Sequence, residues 1–399
     1  MTLTAQRPPQ TGRDLALTTT VLGAVVLITA IALLATDMYV PAFPLVARDL
    51  GTGATQVQLT LTTFFVGMAL GQLLGGPFSD RIGRRRPLLI SLVVLSAASV
   101  LCAFSPTIGV LMTARLVQGF SGGWAMVIAR SIVVDLTSGA RLVRAMNLVA
   151  GIAPIVGPLL GASILELFHW RVSFWLVAAL ATLMVLTVAI GVPETLRRRG
   201  EPFTGEVLRN RGFTGYLVVF AFSMGTIFAY VATSAFVLQS MNGLSPGAYS
   251  VDFAFNAVGL TIATLTAARL ADRVSTRKVV LAGLAATALA GVGLLVGALW
   301  FGMPLPVALI GFFVLMTAQG FVGPNAGALA SAQVPKHPGT GSALLGFLQW
   351  CMAGVIAPLA GLGGERTAVP MAAIVLALTA LSLLALITNQ KGSLPCVES

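Results

Sequence analysis

The sequence predicts an all-α membrane protein whose twelve transmembrane helices form two six-helix, pseudo-symmetric bundles. Three observations support this fold class. The chain has 399 residues, of which 57% are hydrophobic and only 9% are charged, and its mean hydropathy of +0.93 is too high for a soluble globular protein. Apolar segments near the length of about 20 residues that crosses a bilayer recur along the whole chain. A polar motif that follows the second of these segments returns after the eighth, so the two halves share one design.

Each apolar segment is bounded by polar residues or by Gly and Pro, and six segments lie on either side of a polar stretch in the middle of the chain. We therefore expect an N-terminal bundle at 1–196, a cytoplasmic linker at 197–212, and a C-terminal bundle at 213–399 that ends in a short cytoplasmic tail. The predicted spans are 15–42, 55–77, 87–104, 108–135, 142–167, 172–192, 213–238, 247–270, 279–300, 305–334, 342–362 and 368–388.

The distribution of basic residues predicts the orientation. If both termini are cytoplasmic, the segments that face the cytoplasm hold nearly all of the Lys and Arg residues, whereas the outer loops hold only Arg48, Arg171 and Arg366. Cytoplasmic segments of membrane proteins carry this excess. We expect a multi-pass protein of the cell inner membrane with both termini in the cytoplasm. The net charge of +11 follows from this placement, so we expect no nucleic-acid partner.

Residues 119–123 match the Gly-x-Ser-x-Gly pattern of serine hydrolases. That pattern needs a strand-to-helix elbow and a histidine partner, but here it lies within a predicted transmembrane helix. The two histidines, His169 and His337, are predicted on opposite faces of the membrane, and the three cysteines show no paired spacing. We therefore expect no metal site and no enzyme activity. The chain is expected to move a solute across the membrane, with a membrane enzyme as the remote alternative.

The first predicted span contains one carboxylate. Asp37 follows a long apolar run in the outer half of the first span, where an acid costs about 2.5 to 3.5 kcal/mol on insertion scales. Arg115 lies at a comparable depth in the fourth span, so the two charges are close enough in depth to pair, and such a pair would couple proton release to substrate binding. The alternatives are that Asp37 is a solvated helix end and that Arg115 is a static ion pair or a snorkelling side chain.

Four motifs occur at defined places along the chain. They are Gly76-Pro-Phe-Ser-Asp80-Arg81-Ile-Gly83-Arg84-Arg85 after the second span, Thr36-Asp37-Met38-Tyr39-Val40-Pro41-Ala42-Phe43-Pro44 in the first, Arg115-Leu-Val-Gln118-Gly119 in the fourth, and Gly151-Ile-Ala-Pro154-Ile-Val-Gly157-Pro158-Leu-Leu-Gly161 in the fifth. Over nearly the whole chain the sequence resembles the major facilitator superfamily, and within it the drug:proton antiporters of the bicyclomycin and chloramphenicol resistance group. Pro193-Glu194-Thr195, after the sixth span, is a shorter family-like motif.

The resemblance implies proton-coupled efflux of a small amphipathic drug, such as chloramphenicol or a related antibiotic, by alternating access. Asp37 would bind and release the proton, and Arg115 would couple proton release to substrate binding. The motif after the second span would act as a gate together with the inner end of the fourth span, through Gly76, Asp80, Arg81, Gly83, Arg84, Arg85 and Asp135. The antiporter helix motif would consist of Gly151, Pro154, Gly157, Pro158 and Gly161.

Plainer interpretations of these motifs stay open. The arginines after the second span could serve only to set topology and to bind anionic headgroups. The glycines and prolines of the fifth span could serve only to pack and bend the helix.

A drug-sized solute needs an apolar pocket with few polar anchors. The candidates by residue type and apparent depth are Tyr39, Asn147, Asn325, Gln349 and Trp350. The expected partners are a small-molecule drug, protons and the lipid bilayer, with the proton gradient in place of any cofactor and a monomer as the assembly. An importer or facilitator for a small metabolite on the same fold is the alternative.

Overall fold

The computed structural model of the chain describes residues 23, 27, 28, 30, 31, 34–136, 156–195, 205–271, 273–334 and 338–389. Across these residues the secondary structure is helical, and they include no β-strand. The all-α fold class predicted from the sequence is therefore confirmed.

All twelve predicted spans have a helical counterpart. Residues 34–37 are the described end of the first spanning helix, α1. The others are α2 (Ala54–Ile82), α3 (Arg85–Ala103), α4 (Ile108–Leu136), α5 (Val156–Leu167), α6 (Arg171–Gly191), α7 (Arg211–Ala235), α8 (Pro246–Leu270), α9 (Thr276–Phe301), α10 (Leu305–Ala332), α11 (Pro338–Ala360) and α12 (Val369–Thr388).

Among the described helices, nine are long and apolar enough to cross a membrane: α2, α3, α6 and the six from α7 to α12. The remaining spans are α4, which carries Arg115 and Arg130, and α1 and α5, of which the structure describes a part. Each half of the chain therefore supplies six helices.

The end of the first span differs from the prediction. The predicted span runs to residue 42, but the α-helix ends at Asp37, and a turn leads into a 3-10 helix at Val40–Ala42 and a short α-helix at Phe43–Asp49. Pro41 and Pro44 lie in the first turns of these two short helices. Proline lacks the N–H group that a helix interior needs but fits at a helix start, so these prolines restart the helix in a new direction just after Asp37.

A small polar cluster fixes the far end of this short helix. The carboxylate of Asp49 accepts hydrogen bonds from Arg171 Nη1 at 2.6 Å and from Trp170 Nε1 at 3.1 Å. Partial burial alone would raise the pKa of Asp49, but the hydrogen bonds from Arg171 and Trp170 outweigh burial and hold that pKa below its usual value. The cluster joins the segment after α1 to the start of α6.

The motif predicted as a cytoplasmic loop at 76–86 is mostly helical. Helix α2 continues through Pro77 to Ile82, and only Gly83 and Arg84 separate it from α3. The predicted linker also contains a 3-10 helix at Gly205–Arg209, and α7 starts within it at Arg211. Polar residues and one proline had predicted an earlier helix end, but at the end of a spanning helix they can face water while the backbone remains helical.

Each half forms a bundle with its own contacts. In the first half α4 packs against α2 and α3, and α3 packs against α6. In the second half α7 packs against α10, α11 and α12, while α9 packs against α10 and α12. Helices α2 and α11 make the most extensive contact between the halves, so the two bundles meet along these helices.

Glycine permits the close approach of α2 and α4. A Cβ atom added to Gly119 would overlap the carbonyl oxygen of Phe64, and one added to Gly67 would overlap that of Leu116. The two backbones therefore touch without intervening side chains, as small residues allow in membrane helix pairs. Gly119 also begins the Gly-x-Ser-x-Gly pattern, which lies inside α4 and so has no strand-to-helix elbow.

We expect Gly119→Ala to lower the free energy of unfolding by about 1 to 3 kcal/mol, because the added methyl group forces α4 away from α2. Thermal unfolding of the purified protein in detergent measures this change. Gly109→Ala is a matched control on the same helix, since no atom lies within 4 Å of its added Cβ. Equal melting temperatures for the two variants would contradict the backbone contact.

Candidate functional site

Arg115 lies at the centre of the first bundle, inside a cage of aromatic rings. Its side chain is fully buried. The guanidinium carbon lies 4.1 Å from the ring centre of Phe64, 5.0 Å from that of Tyr39 and 5.7 Å from that of Phe174. Aromatic faces attract cations at these distances, so rings from α2, from the turn after α1 and from α6 hold a positive charge inside the membrane.

A hydrogen-bonded chain fixes the orientation of the guanidinium. Arg115 Nη1 donates to the carbonyl oxygen of Ala35 at 3.1 Å and to Oε1 of Gln118 at 2.6 Å. The amide of Gln118 in turn donates to Ser99 Oγ at 2.8 Å. Among the described residues, Arg115 Nε and Nη2 have no hydrogen-bond acceptor. Arg115 therefore ties α4 to α1 and, through Gln118, to α3, while its charge is left without a carboxylate.

Asp37 lies two residues after the carbonyl group that Arg115 contacts, but the two charges are not paired. The side chain of Asp37 is 8% exposed, and in the described part of the chain it has neither a hydrogen bond nor an ion pair. The ion pair that the sequence allowed between Asp37 and Arg115 is absent in this conformation, because the guanidinium is turned toward Ala35 and Gln118.

The glycines of α5 pack directly against this part of α1. A Cβ atom added to Gly157 would lie 2.6 Å from Cβ of Asp37, and one added to Gly161 would lie 2.5 Å from the carbonyl oxygen of Met38. Two residues of the antiporter helix motif therefore form the wall beside Asp37, and Pro158 lies between them in the same helix. The motif residues Gly151 and Pro154 lie outside the described residues.

The turn between α2 and α3 is built around Glu194. The backbone N–H groups of Arg84 and Arg85 donate to its two carboxylate oxygens at 2.8 and 3.2 Å, which satisfies free donors at the start of α3. Gly83 has a φ of +111°, and a Cβ atom there would lie 2.6 Å from Glu194 Oε2. This turn thus needs glycine for its backbone and for space.

The other gate candidates occupy the end of α2. Gly76 lies within the helix, and Arg81 is exposed in its last turn. Arg84 Nη1 donates to Ser79 Oγ at 2.7 Å. The side chains of Asp80 and Asp135 lie outside what the structure describes, so their part in a gate stays a prediction.

The predicted substrate residues fall in different surroundings. Tyr39 is buried and its hydroxyl group hydrogen-bonds that of Thr60 at 2.9 Å. Trp350 of α11 lies 5.5 Å from Phe65 of α2 and 5.7 Å from Phe228 of α7, as measured between ring centres. These three rings form an aromatic cluster between the bundles.

The two remaining described candidates are half-buried. Asn325 donates within its own helix, to the carbonyl oxygen of Phe321 at 2.9 Å, and Gln349 lies next to Trp350 on α11. Asn147 lies outside the described residues. The structure therefore places Tyr39 beside Arg115 and Trp350 between the bundles.

The two bundles close on each other at one end. Gln58 Nε2 donates to the carbonyl oxygen of Ala232 at 2.9 Å, and Gln239 Nε2 donates to that of Pro41 at 3.0 Å. Each bond joins a residue of one half to a residue of the other. The basic residues of the sequence predict that this end is the outer one, so in this conformation we expect access to the centre from the inner side.

Three groups of the site were not singled out from the sequence. Gln118 is part of the fourth-span motif, and its depth in an apolar helix is a signal for a hydrogen-bonded role. Glu194 is the acid of the Pro-Glu-Thr motif, whose partner lies over a hundred residues earlier. Phe64 is one of many phenylalanines, and no pattern in the sequence marks it as a cation partner.

Comparison with known proteins supports a single family. The model of the Major Facilitator Superfamily matches residues 25–358. A Bacillus subtilis protein described as the uncharacterized MFS-type transporter YdgK is 35% identical over 352 residues, which are 85% of this chain and 87% of that protein. A bicyclomycin resistance protein homolog of Haemophilus influenzae is 29% identical over 84% of this chain and 87% of that protein.

Another relative and two solved structures extend the comparison. The multidrug resistance protein MdtL of Escherichia coli is 29% identical over 58% of this chain and 61% of that protein. A bacterial homolog of the human lysosomal transporter Spinster, in an inward-facing and occupied conformation, has a TM-score of 0.73 and 15% identity over 93% of this chain and 96% of that one. The human organic anion transporter MFSD10 has a TM-score of 0.66 and 20% identity over 96% of this chain and 100% of that one. At these identities the structures show a shared fold.

We expect Glu194→Ala to lower the free energy of unfolding by about 1 to 2 kcal/mol, because two N–H groups at the start of α3 lose a charged acceptor. The melting temperature of the purified protein measures the loss. Glu365→Ala removes a carboxylate between α11 and α12 and serves as the control. A melting temperature for Glu194→Ala equal to that of the control would show that the cap does not stabilise the turn.

Proposed function

The chain belongs to the major facilitator superfamily and is a multi-pass membrane transporter, and on this premise we propose that it exports a small amphipathic drug in exchange for protons. Chloramphenicol or a related antibiotic is the substrate class proposed. The observation that supports this best is Asp37, a buried carboxylate without a described partner, packed against Gly157 of the antiporter helix motif.

A carboxylate in this position favours exchange of a proton. Low dielectric penalises the ionised form, and among the described residues no cation is paired with Asp37 to offset that penalty. A proton bound from one side therefore neutralises the group at little cost. When the bundles rock about the central site, Asp37 is exposed to the other side, where water stabilises the carboxylate and the proton leaves.

Arg115 would couple this step to movement of the helices. Its guanidinium is held by three aromatic rings and hydrogen-bonds the backbone of α1 at Ala35. A shift of α1 relative to α4 therefore changes the distance between the fixed positive charge and Asp37. Because the interaction of two charges in a low dielectric varies steeply with distance, such a shift changes how strongly Asp37 holds its proton.

The substrate would bind where the bundles meet. The cluster of Trp350, Phe65 and Phe228 offers an apolar, aromatic surface. Gln349, which precedes Trp350 on α11, and Asn325 of α10 supply polar groups. Drug-sized ligands favour such a mixture of apolar area and few polar anchors. The similarity to proteins named for bicyclomycin resistance and multidrug resistance supports the same substrate class.

We expect Asp37→Asn to fold normally and to abolish drug-driven proton movement, because an amide cannot release a proton. Everted vesicles with an imposed proton gradient receive chloramphenicol, a fluorinated relative, bicyclomycin or an unrelated cation, and lumenal pH is followed by fluorescence. One of these compounds should release lumenal protons from vesicles that contain the unsubstituted protein.

Asp49→Asn is the control, since it also removes a carboxylate but one that lies outside the spanning helices. Undiminished proton release in Asp37→Asn would remove Asp37 from the mechanism. Accumulation of a compound in intact cells, in place of its depletion, would favour an importer on the same fold.

We also propose that the end of α2 and the start of α3 act as a gate between the bundles through Asp80, Arg81, Arg84 and Arg85, with Asp135 at the end of α4. Asp80→Asn is expected to slow transport in the vesicle assay at an unchanged level of protein. Arg86→Gln, which alters an exposed residue in the next helix, is the control. Full transport by Asp80→Asn would leave the motif with a role in topology alone.

A further inference from the structure

The second bundle contains a carboxylate inside a spanning helix that the proposed function does not use. Asp252 is the acidic residue of α8, six residues after the helix starts at Pro246, or about 9 Å along its axis. It is half-buried. Acidic residues are rare inside membrane helices, and those present usually belong to an ion or proton pathway.

Three helices build a polar site around this carboxylate. The amide nitrogen of Asn256 donates to Asp252 Oδ2 at 2.9 Å and also to the hydroxyl oxygen of Tyr230 at 3.0 Å. Asn256 and Tyr230 are fully buried. The ring of Tyr230 stacks on Phe253 and meets Phe312 edge-on. Helices α7, α8 and α10 thus enclose the site in aromatic side chains.

The site offers hydrogen bonds to both forms of the acid. In the arrangement described, the amide nitrogen of Asn256 donates to Asp252, as an ionised carboxylate would require, while its oxygen, Oδ1, is buried and has no partner among the described residues. Rotation of the amide by 180° would direct Oδ1 to Asp252 and Tyr230, where it can accept from a protonated carboxyl group and from the phenol. The unpartnered oxygen of Asn256 can therefore stabilise a proton on Asp252 by accepting its hydrogen bond.

No cation competes for the carboxylate. Within the described residues, α8 contacts α7 through Tyr230 and packs against α9, α10, Val40–Ala42 and the π-helix Phe236–Met241. Helix α10 and the two short elements contain no charged residue, and the charged residue of α7 is Arg211, at its start. The basic residues of α9 are Arg277 and Lys278, at its start. Glu166 of α5 lies beside Gly247 near the beginning of α8. The titratable groups that face the site are therefore phenols and carboxylates.

Two further hydroxyl groups adjoin this site. The hydroxyl groups of Tyr249 and Ser234 hydrogen-bond at 3.0 Å, and Ser234 also interacts with Tyr230. Tyr249 lies within electrostatic range of both Asp252 and Asp37.

We propose that Asp252 is a second proton-binding site, in the C-terminal bundle, which binds and releases a proton together with Asp37 in each transport cycle. The proton comes from water on one side of the membrane and returns to water on the other, and no other bond forms or breaks. The proposal rests on the proposed drug:proton exchange and assigns it two protons for each drug molecule.

Proton binding can be measured without any drug. Purified protein in weakly buffered detergent is shifted from about pH 5 to about pH 9, and the protons released per chain are counted with a pH dye. Ordinary carboxyl groups are already ionised at the start of this range, whereas carboxyl groups whose ionisation burial disfavours release their protons within it. We expect Asp37→Asn and Asp252→Asn each to release one proton fewer, and the double variant two fewer. The pKa of Asp49 lies below its usual value, so Asp49→Asn should release as many protons as the unsubstituted protein.

Release by Asp252→Asn equal to that of the unsubstituted protein would overturn the proposal whatever the transport assay shows. Asp252→Glu keeps a carboxyl group and should restore the missing proton, which separates loss of the group from a change of fold. Ser250→Ala, on the same helix and also buried, should have no effect.

The stoichiometry is then tested in proteoliposomes with a transported drug. The logarithm of the drug gradient at steady state is plotted against the imposed pH gradient, and its slope should fall from two to one in Asp252→Asn. An unchanged slope would overturn the role of Asp252 in the cycle. If no variant transports a drug while the proton counts are as expected, the proposed drug:proton exchange is wrong, but Asp252 is still a proton-binding site.

Discussion

Most of this structure depends on one constraint: polar side chains inside an apolar helix bundle must find partners within the bundle, because no water is there to replace them. Each half meets the constraint with a buried glutamine. Gln118 joins Arg115 to Ser99, and Gln319 accepts from Ser223 and donates to Thr287. Both glutamines begin the same tripeptide, Gln-Gly-Phe, in α4 and in α10. The repeat in the sequence is therefore also a repeat in the hydrogen bonding.

The two halves differ in the charged residues that accompany this buried glutamine. Three residues before the glutamine stands Arg115 in the first half and Met316 in the second, so the caged cation of the first bundle has no counterpart at this position of the second. The second bundle has a different polar group, formed by Asp252 and Asn256 of α8 and Tyr230 of α7. The caged cation near α1 and the carboxylate on α8, which Asn256 hydrogen-bonds, thus lie in different bundles. The two copies of one design have diverged in their buried charged residues.

The sequence predicted the spans well because lipid imposes a simple rule on length and polarity. At most positions the helix ends in the structure differ from the predicted ends by a few residues. It failed where local backbone chemistry competed with hydropathy, as after Asp37, where Pro41 and Pro44 restart the helix. The side-chain partners were harder to predict. Hydropathy places Asp37 and Arg115 at similar depths but does not show that the guanidinium turns toward Ala35. Asp252 was visible as an acid in an apolar segment, whereas its partner Tyr230 lies on another helix.

The position of Trp350 makes its fluorescence sensitive to the contact between the two bundles. The indole is 2% exposed and packs on Phe65 of the opposite bundle, on the helix pair that joins the two halves. Any rearrangement that separates α2 from α11 brings water to this ring, and the emission of an indole moves to longer wavelength as its surroundings become polar. In a variant that keeps Trp350 as its single tryptophan, the emission wavelength would therefore report whether α2 and α11 are in contact.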